Sequence, residues 1–428
     1  MRKSLLIAYI LIIFFCLAAC GEAVDAAPTV DPIPVATPVP TPAPTPTPIP
    51  TPTPTPEPIR AELLVAGDIV MHEGMNEQAL SDGGGSYDYA PLFEDVRALI
   101  EGADYASCCI ETTFPGDGHY TGYPNFRTPD ELAYGLAEAG FDLIATSSNH
   151  AMDAWQTSVN RTLDVLDAAG LAHVGTYRSQ EERDESSGVL LRDINGIRIA
   201  FLDYTYGTNG YSLRDFPYAV NTFIKNYTHV YGREIDYERV AADLAAAKAM
   251  EPDFIAVILH WGVEYSTVPD SVQTEFADWL FAEGVDLVLG GHPHVPQKME
   301  LRTVTDENGE TKQGFICFSL GNLLSTMNDD YTDITAMVQL RLEKDPVTGE
   351  TAILQAGYVP VAMVDLFDYG IYDHAWRYRL WDLHAAAADY ESGNDRGLIT
   401  ERMYNDFLKH IEDLQTICGA DYDLAVGN

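Results

Sequence analysis

Short apolar runs that alternate with helix-like segments constrain the fold of this chain more than any other feature. Each run has the length of a β-strand, and the segments between them carry apolar residues at helical spacing. One helix is expected to begin at Asp270, where Gln273 completes a capping box, and to stop at Gly284. Strands that alternate with helices are typical of an α/β domain with a parallel or mixed sheet. The predicted strands cover residues 61–67, 105–110, 141–147, 198–203, 254–259, 285–289 and 315–320.

Most of these runs are followed closely by a polar side chain. In open α/β sheets the carboxyl ends of the strands form the edge at which sites are built. Residues scattered at random would not follow strand ends in this way, so we expect the side chains to lie together. They are Asp68, Glu111, Asn149, His150, His260, His292, His294 and Asn322.

The residue types at this edge fit one chemistry. Asp, Glu, Asn and His offer oxygen and nitrogen ligands, which suit Mn, Fe or Zn rather than metals that need thiolates. Two ions about 3.5–4 Å apart would ionise a water and hold a phosphoryl or acyl oxygen against it. Plainer interpretations stay open, because His292 and His294 could form a polar turn and Asp68 could cap one. The pattern predicts a divalent-metal site with one or two ions.

The first sixty residues are predicted to form a targeting signal followed by a spacer. A basic start precedes an apolar stretch over residues 5–17, which is short for a membrane span and typical of a signal peptide. The sequence LAAC resembles a bacterial lipobox, which would make Cys20 the lipidated first residue of the mature protein. The alternatives are a plain signal peptide cut nearby or an uncleaved anchor. We expect a signal over 1–20 and a Thr/Pro-rich linker over 21–60, whose extended repeat at 28–58 would reach about 90 Å.

The charge balance argues against one class of partner. Asp and Glu number 65 against 25 Lys and Arg, which gives a formal net charge of -40. Such a field repels nucleic acid and anionic membrane surfaces and attracts divalent cations. We expect no nucleic-acid partner, and contact with the membrane only through the lipid anchor, on the extracytoplasmic face. The four cysteines after Cys20 lack zinc-ribbon spacing and are expected to be structural or free.

Four stretches carry a more specific signal: LLVAGDIVMH, FRTPDELAYGLAEAGFDLIATSSNHAMD, ILHWGVEYSTVPDSVQTEFADWLFAEGVDLVLGGHPHVPQKME and FSLGNLLS. Together, in order over about residues 61–365, they resemble the CapA family of capsule-synthesis and poly-γ-glutamate-associated proteins, within the calcineurin-like metallophosphoesterase superfamily. The resemblance implies a metallophosphatase-like β-sandwich flanked by helices, with the metals at the strand ends. Residues 366–428 are predicted to form a C-terminal helical appendage.

The resemblance also implies roles for the strand-end residues. Asp68 would be the bridging carboxylate, and His294 would bind the first metal. His150 would be the general acid beside the leaving group. Glu111 stands where CapA-like sequences carry Glu and phosphatases carry Asp. The second metal would be held by Asn149, His260 and His292.

One position departs from the superfamily's pattern. A histidine is usual two residues after the first Asp, but this chain has Val70 there, and His72 is not an obvious substitute. The resemblance therefore implies a complete second site and a first site that lacks one ligand. Two more residues are candidates for substrate contact. Arg127 could receive an anionic group or pair with a surface carboxylate, and Asn322 could fix a loop and face the substrate.

Two functions follow as hypotheses. The first is a cell-surface, metal-dependent hydrolase or transferase that acts on a phosphoester, or on an amide bond of a capsule or poly-γ-glutamate-type polymer. The second is a non-catalytic anchor or scaffold for an exported anionic polymer, which the depleted first site favours. A protein of this net charge should repel a polyanion unless metal ions reverse the local sign.

Overall fold

The computed structural model describes residues 56–229, 232–305, 309, 311–372 and 376–426. The predicted signal peptide, Cys20 and residues 21–55 of the predicted linker lie outside the described residues, so these predictions stay as they are. Within the described ranges, no helix combines the length and the apolar character that crossing a bilayer requires.

The described strands form two sheets. The first has the order β14-β13-β12-β1-β2-β3-β4, with β11 paired to β1, and the second has the order β5-β6-β7-β8-β10-β9. In chain order the strands are β1 (Ile59–Ile69), β2 (Tyr105–Ile110), β3 (Leu143–Ala145), β4 (Ala172–Val174), β5 (Leu190–Ile194), β6 (Ile197–Thr205), β7 (Phe254–His260), β8 (Leu287–Gly291), β9 (Met299–Thr305), β10 (Thr311–Cys317), β11 (Asn322–Leu324), β12 (Ile334–Lys344), β13 (Thr351–Asp365) and β14 (Tyr378–Asp382).

Parallel strands form one side of the first sheet and the middle of the second. In the first sheet β1 to β4 pair in parallel, and in the second β6, β7, β8 and β10 do so. The long strands β12 and β13 and the short strand β14 extend the first sheet in antiparallel pairing. Because parallel strands share a direction, their carboxyl ends lie at one edge of each sheet, where open α/β sheets form their sites.

Helices cover the outer faces of the two sheets. Buried residues of α1 to α4 form one core with the outer face of the first sheet, and those of α6 and α7 form another with the second. A third core fills the space between the sheets. The helices are α1 (Glu73–Asp82), α2 (Arg97–Glu101), α3 (Glu131–Ala139), α4 (Trp155–Ala169), α5 (Gln180–Ser186), α6 (Tyr237–Ala249), α7 (Ser271–Ala282), α8 (Leu383–Ser392) and α9 (Glu401–Leu414).

The capping box predicted at the start of α7 is confirmed. Asp270 accepts a hydrogen bond from the backbone N–H of Gln273 at 2.9 Å, and the Gln273 side chain accepts one from the N–H of Asp270 at 2.9 Å. These two bonds satisfy amide groups that a helix start leaves without partners. The helix then buries Phe276 and Leu280 against the second sheet.

The predicted fold class, a β-sandwich flanked by helices, is confirmed by these layers. The predicted C-terminal helical segment contains the helices α8 and α9, but it also contains a strand. Strand β14 extends the first sheet beside β13, and α9 buries Met403 and Phe407 in the core between the sheets. The alternation in YRLWD explains the strand, since Tyr378 and Leu380 join the outer core while Trp381 joins the inner one.

Candidate metal centre

The strand-end residues predicted from the sequence converge on one buried edge. Both sheets contribute, because β1, β2 and β3 end beside β7 and β8. At this edge Glu111 is 0% exposed, and the others are exposed by only a few per cent. The structure brings together Asp68, Glu111, Asn149, His150, His260, His292 and His294.

The first part of the cluster surrounds the ring of His260. Its Nε2 lies 2.9 Å from Asn149 Oδ1, 3.2 Å from His292 Nδ1 and 3.5 Å from Glu111 Oε1. These are the residues for which the resemblance implied a complete second site, with Glu111 added. The arrangement places one carboxylate, one amide oxygen and two imidazoles around a common point.

The second part of the cluster contains Asp68, Glu111 and His294, whose potential ligand atoms lie within 4.8 Å of one another. Glu111 Oε1 is 3.8 Å from His294 Nδ1. Glu111 therefore touches both parts of the cluster. Asp68 has one oxygen engaged, since Oδ2 accepts a hydrogen bond from the backbone N–H of His292 at 2.7 Å. The other oxygen of Asp68, Oδ1, lies 3.9 Å from His260 Nδ1, so Asp68 and Glu111 both reach the two parts of the cluster.

Several polar atoms of this cluster are buried without a hydrogen bond. They are Asp68 Oδ1, both oxygens of Glu111, and His260 Nδ1. No Lys or Arg forms an ion pair with these two carboxylates within the described ranges. An unpaired buried carboxylate is costly, and such groups are normally paired or bound to a metal. The donor set therefore fits a divalent cation.

The pKa shifts of the cluster residues also favour a bound cation. Burial raises the pKa of Asp68 to about 6, and burial together with the nearby Asp68 charge raises the pKa of Glu111 well above its usual range. A bound cation would oppose both shifts because it stabilises the charged carboxylate. Burial and mutual repulsion lower the pKa of all three cluster histidines, to about 4 for His294. They are neutral at pH 7, which is the form that binds metals.

The turn GGHPH brings its histidines close to Asp68 through two glycines. A Cβ on Gly291 would lie 2.4 Å from Asp68 Oδ1, and one on Gly290 would lie 2.0 Å from a backbone oxygen. Only glycine permits this approach of the backbone. His292 and His294 adopt φ values of 91° and 62°, in a region that non-glycine residues rarely enter. Such strain tends to occur at functional sites.

His150 lies beside the cluster in contact with an aspartate. Its Nδ1 is 2.7 Å from Asp153 Oδ2, which also accepts a hydrogen bond from the backbone N–H of Phe126 at 2.6 Å. The ring packs edge-on against Phe126, and the amide nitrogen of Asn209 lies 3.3 Å from Nε2. The side-chain oxygen of Asn209 also accepts a hydrogen bond from the amide nitrogen of Asn149 at 3.2 Å. A carboxylate on Nδ1 fixes the tautomer and orients Nε2.

The two predicted substrate contacts are engaged within the protein. Arg127 forms an ion pair with Asp117 and donates to the carbonyl of His119 at 3.0 Å, which agrees with its plainer interpretation. Asn322 is buried; its oxygen lies 3.0 Å from His294 Nδ1, and its amide donates to a backbone carbonyl. Asn322 therefore orients His294 instead of facing the substrate.

The gap in the first site is present in the structure. Val70 is fully buried in the core, and His72 is not in any of the potential ligand groups. Instead, the His72 ring accepts a hydrogen bond from the backbone N–H of Thr326 at 3.3 Å, and burial lowers its pKa.

Sequence reasoning missed three residues at the centre. Asp153 could have been found from its position three residues after His150 in NHAMD, and Glu264 from its position four residues after His260 in HWGVE. A potential ligand atom of Glu264 lies within 4.8 Å of those of His292 and His294. Asn209 belongs to an irregular loop, and no sequence pattern marks it.

Comparisons with known proteins give a consistent result. The family model described as "Bacterial capsule synthesis protein PGA_cap" matches residues 62–327. The chain is 24% identical over 287 residues to "Capsule biosynthesis protein CapA" of Bacillus anthracis, which covers 65% of this chain and 63% of that protein. It is 25% identical over 283 residues to "PGA biosynthesis protein CapA" of Bacillus subtilis strain 168, which covers 65% and 67%.

Two solved structures are similar at low identity. A "novel phosphatase" of Mycoplasma pneumoniae gives a TM-score of 0.39 at 14% identity, over 72% of this chain and 94% of that one. The calcineurin-like phosphoesterase YfkN of Bacillus subtilis gives a TM-score of 0.37 at 12% identity, over 84% and 98%.

Proposed function

The chain belongs to the bacterial capsule synthesis protein family PGA_cap, and from this membership we propose that it is a divalent-metal-dependent hydrolase or transferase of the cell surface. Its substrate would be an exported polymer of the capsule or poly-γ-glutamate type, cleaved at a phosphoester or an amide bond. The names of the two Bacillus relatives, which concern capsule and PGA biosynthesis, support the polymer class.

One observation carries the metal-dependent part of the proposal. Four carboxylate and imidazole atoms are buried at the sheet edge without hydrogen bonds, and among the described residues no Lys or Arg forms an ion pair with the two carboxylates. One or two ions of Mn, Fe or Zn would be held there, and would lower the pKa of a water and polarise a phosphoryl or acyl oxygen. One position would be formed by Glu111, Asn149, His260 and His292. The other would be formed by Asp68, Glu111 and His294.

The protein itself would supply the proton for the leaving group. Nδ1 of His150 is held by Asp153 at 2.7 Å, so Nε2 is the ring nitrogen that can deliver a proton. His150 is near enough to the metal cluster that its charge lowers the pKa of both His260 and His292. After the proton has left, the amide nitrogen of Asn209, 3.3 Å from Nε2, would donate a hydrogen bond to it and hold the ring in place.

The proposed location follows from the first sixty residues. A lipid on Cys20 would anchor the chain to the extracytoplasmic face of the membrane, and the Thr/Pro-rich linker would hold the domain away from it. The anionic polymer would have to approach a chain of net charge -40. Metal ions at the centre would provide the local positive charge.

The proposal is tested by turnover and metal content measured together. Wild type loaded with Mn²⁺ should hydrolyse a chromogenic phosphodiester or poly-γ-glutamate, and a chelator should abolish turnover. His150→Ala should retain the metal and lose most of the turnover. Turnover on neither substrate, or turnover independent of both metal and His150, would contradict the proposal.

A non-catalytic scaffold is the second candidate, and the burial of Val70 favours it because one metal position lacks a protein ligand. This chain would then keep one structural ion and bind the polymer without cleaving it. Bound metal, binding of poly-γ-glutamate and no His150-dependent turnover would identify this function.

A further inference from the structure

The incomplete metal position has a further side chain at its solvent side. We propose that Glu264 is the missing ligand of the position formed by Asp68, Glu111 and His294. The inference rests on the metal centre of the proposed function and adds a residue from the loop that follows β7. In the superfamily's pattern a histidine stands at the position of Val70 and would be this ligand. In this chain the carboxylate of Glu264 would take its place.

The position of Glu264 supports this assignment. One oxygen of Glu264 and one ring nitrogen each of His292 and His294 all lie within 4.8 Å of one another. Glu264 is thus close to His294 of the incomplete position and to His292 of the complete one. A carboxylate is also a suitable oxygen ligand for Mn²⁺ or Fe²⁺.

The backbone holds Glu264 over the histidine turn. On one side of it, the N–H of Trp261 donates to the carbonyl of Gly291 at 3.1 Å. On the other, the N–H of Tyr265 donates to the carbonyl of Pro293 at 2.8 Å. These bonds attach the loop to the strand end and to the residue between the two histidines. The backbone of Glu264 is therefore tied to the turn whose side chains it would join.

The side chain of Glu264 is available for an ion. Within the described ranges, no hydrogen bond or ion pair engages its carboxylate, although the buried histidines below it have several contacts. Glu264 is exposed, whereas His292 and His294 are buried. It would therefore cover the metal position from the solvent side. A substrate oxygen that enters from solvent would compete with this ligand more readily than with the buried ones.

The test is metal binding, measured without turnover. Mn²⁺ is titrated into full-length protein by calorimetry, and bound Mn²⁺ is counted by electron paramagnetic resonance. Wild type should bind two ions. Glu264→Gln, which keeps the size and removes the charge, should bind one ion as wild type does and the second at least about tenfold more weakly.

Two more variants make the result specific. Glu73→Gln is the matched control, because Glu73 is an exposed acid that lines the cleft beside Arg127 and belongs to none of the potential ligand groups. It removes the same charge and should bind both ions as wild type does. Glu264→His should keep two ions and shift the preference of the second from Mn²⁺ toward Zn²⁺, since imidazole suits zinc.

The outcomes separate the inference from the function on which it rests. If wild type binds no Mn²⁺, the proposed metal-dependent function fails. If wild type binds a single ion, or if Glu264→Gln binds two as tightly as wild type, the role of Glu264 is overturned while the metal centre remains. An equal loss in Glu73→Gln would also overturn it, because the effect would then come from general charge.

Discussion

At the scale of single residues, we predict how replacing His150 or Asp153 changes kcat. His150→Gln should lower kcat by about 10²–10⁴-fold, because it removes the proposed proton donor, and should leave bound metal unchanged. Asp153→Asn should lower kcat less and shift its pH profile, because it removes the charge that orients His150. Steady-state kinetics over a range of pH, with metal counted in each variant, provide the measurement.

The control for these variants is His173→Gln. His173 also contacts an aspartate, but it lies in β4 outside the cluster. Its replacement should leave kcat unchanged. A His150→Gln variant with wild-type kcat would contradict the assignment of His150 as proton donor. A variant that loses its metal would show that His150 binds metal instead.

The buried carboxyl of Asp68 should make metal binding depend on pH. Burial raises its pKa to about 6 when no ion is bound, so a proton occupies this carboxyl as the pH falls through 6. Metal and proton then compete, and the Kd for Mn²⁺ should rise as the pH is lowered. Each displaced proton contributes about tenfold per pH unit. Calorimetric titrations between about pH 7.5 and 5.5 measure this slope. A Kd that does not change over this range would contradict a role for Asp68 as a ligand.

At this scale the sequence located most of the centre. Residues at strand ends could be predicted, because parallel strands direct their carboxyl ends to one edge, and Asp68, Glu111 and His260 meet there. Residues in loops could not. The contact of Asn209 with His150 depends on the path of an irregular segment, which no periodic pattern describes. Likewise, Asn322 follows the pattern, but only the structure reveals that its side chain is used on His294.

The end of strand β8 makes a prediction at the scale of an element. Gly291→Ala would place a Cβ 2.4 Å from Asp68 Oδ1, so the strand end must move away from β1. We expect a loss of about 1–3 kcal/mol in the free energy of unfolding, together with weaker metal binding. Urea unfolding and Mn²⁺ titration measure the two effects.

Gly74→Ala provides the comparison. Gly74 lies in helix α1, where a Cβ would meet only a tyrosine hydroxyl, at 3.3 Å. Alanine is favoured over glycine in a helix by about 0.5–1 kcal/mol, so this variant should be slightly more stable than wild type. Equal effects of the two substitutions would contradict the close approach at Gly291.

Elements with a strong local sequence signal were predicted correctly. The presence and bounds of strands that depend on pairing with distant residues were not. The capping box gave the start of α7 correctly, because its hydrogen bonds are local. The apolar run 141–147 shortens to the three residues Leu143–Ala145, since only these pair with β2 and β4. Strand β14 was missed because the Ala-rich helix that follows it dominates the local composition.

At the scale of the whole molecule, we predict that helix α9 contributes to the stability of the domain. Phe407 is fully buried in the core between the sheets, whereas the adjacent Leu408 is 43% exposed. Phe407→Ala should lower the free energy of unfolding by about 3–5 kcal/mol. Leu408→Ala should change it by less than about 0.5 kcal/mol. If both variants unfold at the wild-type urea concentration, the C-terminal segment is an appendage after all.

The α/β class of the fold could be predicted from strands that alternate with helices, but its division into two sheets was implied only by the family resemblance. The pattern does not show which strands pair, because pairing joins distant residues such as Ile59 and Lys344. The same holds for the core between the sheets, to which both ends of the domain contribute.

The distance along the chain between the two halves of the centre also bears on how the protein is made. Asp68 emerges from the ribosome long before His292, which follows 224 residues later. At about 5–20 residues per second this delay is roughly 10–45 s. During that time β1 also lacks β12, so its hydrogen-bonding edge is open to other chains. We expect this unpaired edge to be prone to aggregation until the last strands have been made, and the yield of the protein to depend on whatever factor shields it.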